Sequence, residues 1–282
     1  MAFQLHKLPG GGVVRSFHYG SGRPVLALHG SPGNGHMFAS WEAVARDLGV
    51  EIMAPDRPGW GSSDILGLDH AGFAAWLADV MDVLKIEHAP VIGVSCGAQW
   101  AIAAAAGLPD RISGLGVVGA MGQCDSREAL SGMLAGNKLL LGLARVAPQL
   151  LTPVLEPVMR LARFNPSATI RRFAASSIEP DRVLLLHRPH RHAYQGAVEH
   201  LAPDCARAMA RDHILPASQW SIDATRITQA ATLWHGTRDV SVPRHHSKRL
   251  ANWLPNARLN EIPGAGHLIN LSHGRQIIEA VL

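Results

Sequence analysis

Short apolar runs that end abruptly at turn residues recur along this chain and alternate with helical patterns. The runs cover residues 24–28, 50–54, 90–94, 112–118 and 231–234, and each stops at a histidine, proline, serine or glycine. Continuous apolar runs of this length are typical of strands that are buried on both faces of a sheet. Strands that alternate with helices form right-handed units around a mainly parallel sheet. The chain is therefore predicted to adopt an α/β fold with helices on both faces of the sheet.

Helical patterns fill the segments between these runs. One apolar face repeats at the i, i+3, i+4, i+7 spacing and consists of Phe73, Trp76, Leu77, Val80, Met81 and Leu84. The stretch 98–106 is rich in alanine, which suits a helix that lies close against a sheet. Three glycines at 10–12 separate two short extended runs, and we expect an antiparallel hairpin there, at the edge of the sheet.

The alternation breaks between about residues 123 and 221. Helical patterns cover 130–146 and 150–163, and shorter pieces interrupted by prolines follow them. A helical block between two sheet strands predicts a lid over the carboxyl edge, where open α/β sheets bind their ligands. We therefore expect a core domain formed by 1–121 and 222–282, with a helical cap at 122–221.

Composition excludes several classes of protein. With 282 residues, 47% hydrophobic and 17% charged, the chain can bury one substantial core. A net charge of +4 without a basic run gives no sign of nucleic-acid binding. Three scattered cysteines fit neither a disulfide framework nor a zinc site. No stretch resembles a signal peptide or a membrane span. We expect a cytoplasmic monomer or homodimer that acts on a small molecule, away from membranes.

The motif GVSCG at 93–97 is the strongest chemical signal. It matches G-x-S-x-G and lies where a buried strand gives way to a helix of small residues, which is the setting that the motif requires. A serine on such a tight turn is held in strained backbone geometry, so only small residues fit at Gly93 and Gly97. Ser95 is therefore predicted to be a nucleophile, raised clear of the sheet.

A serine hydroxyl needs a base and an acid that orients the base. Both should follow the serine, each on a loop after a later strand. His267 ends the motif GAGH directly after the run 259–262, and Asp239 ends HGTRD after the strand that stops at Trp234. We expect His267 to act as general base and then general acid, and Asp239 to hold its tautomer. The rival aspartates, Asp125 and Asp223, lack this position after a strand.

Two backbone amides are candidates for an oxyanion hole. The N–H of Cys96 follows the nucleophile, and the N–H of Ser31 lies in HGSPG, directly after the strand that ends at Leu28. Gly30 would allow the loop to approach the nucleophile closely. His29 is interpreted as a residue that packs and orients this loop, and the Ser31 hydroxyl as an ordinary turn serine.

Taken together, HGSPG, DRPGWGSSD (56–64), GVSCG, HGTRDVSVP and GAGH make the chain resemble the α/β-hydrolase superfamily over nearly its whole length. The resemblance implies an eight-stranded, mostly parallel sheet, a helical cap after the sixth strand, and a Ser–Asp–His triad with no metal or cofactor. One departure is Ala98, where many relatives carry glycine, and we expect little effect from it. Relatives that open epoxides or remove halogens use an aspartate nucleophile, and Ser95 argues against both reactions.

The favoured hypothesis is a serine hydrolase that cleaves a small carboxylic ester or lactone. An alternative is cleavage of a carbon–carbon bond in a diketone-like acid, whose carboxylate one of seven basic cap side chains would bind: Arg160, Arg163, Arg171, Arg172, Arg182, Arg188 and Arg191. A third is a small-molecule receptor built on the same scaffold.

Three histidines of the cap, His187, His190 and His192, lack acidic or cysteine partners at ligand spacing, and we predict no metal site there. Four apolar residues in or beside the cap are expected to pack among themselves rather than line the acyl pocket: Met121, Met133, Leu140 and Met159.

Overall fold

A computed structural model describes residues 3–64 and 67–282, so four residues of the predicted core segment 1–121 (1, 2, 65 and 66) lie outside it. Within these ranges the chain forms one sheet of eight strands. In chain order they are Phe3–Lys7 (β1), Val13–Gly20 (β2), Arg23–Leu28 (β3), Val50–Pro55 (β4), Ala89–Val94 (β5), Ile112–Val118 (β6), Ala231–Gly236 (β7) and Ala257–Ile262 (β8).

The strands lie side by side in the order β1-β2-β4-β3-β5-β6-β7-β8. From β4 to β8 every neighbouring pair is parallel, whereas β1 and β2 form an antiparallel pair at one edge. All six residues of β5 are buried, as its uninterrupted apolar sequence predicts for a central strand. The predicted fold class and the hairpin at the edge are both confirmed.

Helices cover both faces of this sheet. In chain order they are Glu42–Leu48 (α1), His70–Val83 (α2), Gly97–Gly107 (α3), Ala135–Val146 (α4), Leu151–Phe164 (α5), Pro166–Ser176 (α6), Glu179–Leu186 (α7), Arg188–Glu199 (α8), Cys205–Ala217 (α9), His245–Trp253 (α10), Ile269–Ser272 (α11) and Gly274–Glu279 (α12), with 3₁₀ turns at Gly35–Trp41, Pro148–Leu150 and Ala224–Arg226. Residues of α1 and α12 belong to one buried apolar cluster, and those of α2, α3 and α10 belong to another.

Six helices, α4 to α9, separate β6 from β7, and residues 135–217 are called the helical insertion below. Its apolar side chains join the buried cluster that also contains α1 and α12. The helix α5 at 151–164 lies close to the predicted 150–163, whereas α4 ends at the predicted residue 146 but begins at 135 and not at 130. The boundaries 122 and 221 of a separate cap domain remain a prediction. No helix in the described ranges is long and apolar enough to cross a membrane.

Candidate active site

Ser95 occupies a sharp turn between β5 and α3. Its φ of 54° lies in the left-handed region, which residues other than glycine and a few polar types rarely adopt. A Cβ on Gly97 would lie 2.2 Å from the carbonyl oxygen of Leu28, and one on Gly93 would lie 2.6 Å from the Cα of Ala98. The turn therefore tolerates no side chain at either glycine, which is the geometry expected from the motif.

Three side chains that are distant in sequence meet beyond the ends of the strands. His267 Nε2 lies 3.0 Å from Ser95 Oγ, and His267 Nδ1 lies 2.7 Å from Asp239 Oδ2. Asp239 is 6% exposed, and its second oxygen accepts the backbone N–H groups of Ser241 and Val242 at 2.8 and 2.9 Å. The Nδ1–H of the imidazole therefore donates to Asp239, which leaves the Nε2 lone pair directed at the serine hydroxyl.

Electrostatics support this arrangement. Burial acts to lower the pKa of His267, but the charge and hydrogen bond of Asp239, together with the charge of Asp181, raise it above its usual value. Burial acts to raise the pKa of Asp239, yet His267 and His235 hold it well below its usual range. The carboxylate therefore stays ionised and stabilises an imidazolium at residue 267.

The loop after β3 runs directly past the serine. A Cβ on Gly30 would lie only 3.2 Å from the Cβ of Ser95, so the backbone approaches as closely as the sequence predicted. Within residues 3–64 and 67–282, neither Ser31 N–H nor Cys96 N–H donates a hydrogen bond to protein. The Ser31 hydroxyl is also buried without a partner in those ranges. Both amides are thus available to an oxyanion.

His29 is fully buried and fixes this loop. Its Nδ1 donates to the Gly30 carbonyl at 2.8 Å, and its Nε2 accepts the backbone N–H of Arg57 at 3.1 Å. Burial and the charge of Arg57 lower its pKa well below the usual value, so the ring is neutral. The Arg57 guanidinium also donates to the carbonyls of His29 and Gly30 at 2.9 and 3.3 Å, and it pairs with Asp212 of α9 through two bonds of 2.6 and 2.8 Å.

Asp181, which the sequence analysis missed, holds the loop that carries the histidine. Its two carboxylate oxygens accept the backbone N–H groups of His267 and Leu268, each at 2.9 Å, and the side chain is 4% exposed. It comes from α7 of the helical insertion. In the sequence it is simply an acidic residue in the first turn of a helix, where the helix dipole alone accounts for it. No sequence signal links it to a loop 86 residues away.

A cavity of about 270 Å³ lies between the sheet edge and the helical insertion, with Ser95 and His267 in its wall. Insertion residues supply much of the rest: Val158, Met159, Ala162, Thr169, Ile170, Phe173, Tyr194, Ala197, Val198 and Leu201. Met159 therefore lines the cavity, and the expectation that it packs only against other cap residues was wrong. Within the described part of the chain, no lysine or arginine lines this cavity.

The remaining candidates lie elsewhere or are inert. Burial raises the pKa of the Cys96 thiol to about 12, so it is not a second nucleophile. Asp125 and Asp223 are exposed and take no part in the site. Among the residues described, no three His, Cys, Asp or Glu side chains are close enough together to hold a metal ion.

Comparisons with known proteins agree with this architecture. The family model described as alpha/beta hydrolase fold matches residues 23–274. A 2-hydroxymuconate semialdehyde hydrolase from a Pseudomonas species is 25% identical to this chain. The alignment, 284 positions long with its gaps, covers 96% of this chain and 89% of that protein.

Two solved structures have a similar fold. The esterase from Exiguobacterium antarcticum superposes with a TM-score of 0.69 at 18% identity, covering 99% of this chain and 97% of its own. The enol-lactonase from Burkholderia xenovorans gives 0.69 at 18% identity, covering 98% and 99%. At these identities the likeness shows the fold alone.

Proposed function

Because the chain belongs to the α/β-hydrolase family and is a hydrolase, we propose that it cleaves a small, uncharged carboxylic ester or lactone through an acyl-enzyme on Ser95. One observation carries the proposal. The hydrogen-bonded chain Ser95–His267–Asp239 opens into a cavity without a positively charged side chain among its described lining residues. The cavity volume is near the lower limit for small-molecule sites, which suits a substrate of modest size.

In the first half of the reaction, Ser95 Oγ attacks the substrate carbonyl carbon while His267 Nε2 takes the hydroxyl proton. Asp239 stabilises the imidazolium that forms. Negative charge that develops on the carbonyl oxygen is received by the N–H groups of Ser31 and Cys96, and each such donor contributes roughly a hundredfold or more to the rate. The imidazolium then protonates the leaving alkoxide. From an ester an alcohol departs, whereas from a lactone the new hydroxyl stays on the acyl chain; in both cases the acyl group remains on Ser95.

The second half repeats these roles with water. His267 takes a proton from a water molecule, whose oxygen attacks the acyl carbon, and then returns the proton to Ser95 as the carboxylic acid leaves. The rigid support of the two loops by Asp181 and Arg57 keeps donors and base in place through both halves, since reaction rates fall steeply with small displacements of catalytic groups.

The second candidate is carbon–carbon bond cleavage in a diketone-like acid. The similarity to a 2-hydroxymuconate semialdehyde hydrolase from Pseudomonas favours it, since a muconate semialdehyde carries a carboxylate as well as a carbonyl group. Such a substrate would place the carboxylate in an apolar cavity, where a charge without a cationic partner is costly. No basic insertion residue lines the described cavity to supply that partner. Ester or lactone cleavage is therefore preferred.

A hydrolysis panel of short nitrophenyl esters, lactones and vinylogous keto acids tests the proposal. We expect the esters or lactones to have the highest kcat/KM, and Ser95→Ala to lower kcat at least about a thousandfold. The exposed Ser221 lies away from the cavity, so Ser221→Ala serves as the matched control and should retain full activity. A panel dominated by keto acids would replace this proposal with carbon–carbon cleavage.

A fluorophosphonate probe separates an enzyme from a receptor built on the same scaffold. The probe reacts only with a serine whose hydroxyl is activated by a base. Wild type and Ser221→Ala should be labelled, whereas Ser95→Ala should not. Absence of labelling in the folded wild-type protein would argue for a receptor and against acyl transfer.

A further inference from the structure

Asn270 brings an unpaired amide to the wall of the cavity. It lies three residues after His267, in the short helix α11, and its backbone carbonyl accepts the indole N–H of Trp41 at 2.8 Å. The residue is fully buried and lines the cavity. Among the residues that the structure describes, neither its Oδ1 nor its Nδ2 makes a hydrogen bond of good geometry, although the Tyr194 side chain lies close enough to interact with it. The backbone thus fixes a side chain whose polar atoms are left free.

Such an arrangement carries an energetic cost. A buried polar group without a partner destabilises a protein by roughly 1–3 kcal/mol, and most buried amides are therefore paired. An apolar residue of the same size, such as leucine, would avoid this cost in a cavity that is also lined by Leu201, Val198 and Ile170. An unpaired amide in a mostly apolar wall is instead typical of a ligand site, because the ligand then supplies the missing hydrogen-bond partner.

Tyr194 of α8 lines the same cavity and lies beside this amide. Burial raises the pKa of the Tyr194 hydroxyl above its usual range, and a side-chain hydrogen-bonding interaction with Asn270 acts in the opposite direction. The hydroxyl therefore stays protonated at neutral pH and adds one donor and one acceptor to the amide pair. The two side chains come from α8 of the insertion and α11 of the core, so the cavity wall contains one polar patch made by both parts.

We infer that Asn270 and Tyr194 form a subsite for an uncharged hydroxyl group of the substrate, which makes the substrate a hydroxyl-bearing ester or lactone. This inference rests on the acyl-transfer function proposed above. A hydroxyl can donate to Asn270 Oδ1 while it accepts from the Tyr194 hydroxyl, or accept from Asn270 Nδ2 while it donates to that hydroxyl, whereas a ketone can only accept. A carboxylate would leave the Oδ1 acceptor unpaired and would also bring a charge into the cavity without a cation.

Matched substrates test the subsite. Sets of 4-nitrophenyl esters of equal chain length carry a hydroxyl, a ketone or a methyl group at the same carbon, and that carbon is moved along the chain. Each kcat/KM is divided by the uncatalysed hydrolysis rate of its ester. For the wild type we expect the best hydroxyl ester to exceed its methyl counterpart by about tenfold or more, with the ketone in between, because a polar site left unpaired discriminates strongly.

Variants assign the preference to these side chains. Asn270→Leu should bring the hydroxyl-to-methyl ratio to one or below, and Tyr194→Phe should reduce it about threefold, which keeps the test valid if the leucine variant fails to fold. Asn256→Leu, at an exposed asparagine outside the cavity, is the matched control and should keep the wild-type ratio.

The outcomes separate the two proposals. If esters are cleaved in a Ser95-dependent way but the ratio in the wild type is one at every position, or survives in Asn270→Leu, the subsite is refuted and acyl transfer stands. If no ester is cleaved and Ser95 is not labelled, acyl transfer fails and the subsite fails with it.

Discussion

At the scale of single residues, a methyl group at position 97 is enough to disrupt the turn that carries Ser95. The Cβ of Gly97→Ala would lie 2.2 Å from the Leu28 carbonyl and 2.6 Å from the His29 carbonyl, both of which are backbone atoms that cannot rotate away. We expect the substitution to lower the free energy of unfolding by about 3 kcal/mol and to abolish labelling of Ser95. Urea unfolding and fluorophosphonate labelling of the folded variant check both effects.

Gly142→Ala is the matched control. This glycine lies inside α4, and a Cβ there would meet nothing within 4 Å. Because alanine is the better helix former, the control should gain about 0.5–1 kcal/mol in unfolding free energy and keep full activity. Equal destabilisation of the two variants would contradict the steric explanation for Gly97.

Residues that a local turn requires could be predicted from the sequence. Residues whose role depends on contacts with distant segments could not. Ser95 was identifiable because its two glycines are required by the turn itself, and that requirement is visible in five consecutive letters. Asn270 and Met159 carry no such requirement. The direction of their side chains depends on how α11 and α5 pack against distant segments, and the sequence of one segment alone does not determine that packing.

At the scale of elements, α7 controls the histidine loop through Asp181. We expect Asp181→Asn to move the acid limb of the kcat/KM profile to lower pH. The reason is the sign of the interaction: the Asp181 carboxylate stabilises the imidazolium and raises the pKa of His267, so its removal lowers that pKa. The neutral base then persists to lower pH. A pH profile measured on a nitrophenyl ester gives the direction directly.

The plateau value of kcat, measured over the same pH range, reports on the position of the loop that carries His267. Asparagine offers only one oxygen to the two N–H groups that Asp181 now binds, so the loop should shift and plateau kcat should fall by about tenfold or more. Asp204→Asn, which removes an exposed charge from the same insertion, should change neither quantity. A fall in kcat with an unmoved acid limb would mean that Asp181 acts on loop position only.

Element boundaries in the sheet followed closely from sequence because buried strands must be continuously apolar and must end where the chain turns. The predicted run 112–118 coincides with β6, and 90–94 lies within β5. The insertion was predictable as helical but not in its contacts. The periodicity shows which side of each helix is apolar, but it does not show which neighbouring element or cavity that side faces.

At the scale of the whole molecule, polar pairs join the insertion to the core at three places. Asp181 reaches the loop after β8, Asp212 reaches Arg57 after β4, and the guanidinium of Arg15 in β2 donates to the His200 carbonyl at 3.0 Å. The α/β fold and the position of the insertion after β6 could be predicted from the order of patterns. These three polar pairs could not be predicted, since each joins residues more than 80 positions apart in the sequence.

Substitutions in the Arg57–Asp212 pair test whether such polar pairs contribute to the free energy of unfolding. The two side chains are 2% and 1% exposed, so Asp212→Leu would leave a buried guanidinium without its anion and should cost about 3–5 kcal/mol in urea unfolding. Arg57→Met combined with Asp212→Leu removes both charges, and its cost should fall short of the sum of the single variants by more than about 1 kcal/mol. The exposed pair Arg275–Asp47, at a similar 2.8 Å, is the matched control and should contribute less than about 1 kcal/mol. If the two pairs show equal coupling, burial adds nothing to the Arg57–Asp212 pair, and the insertion must be held by its apolar contacts alone.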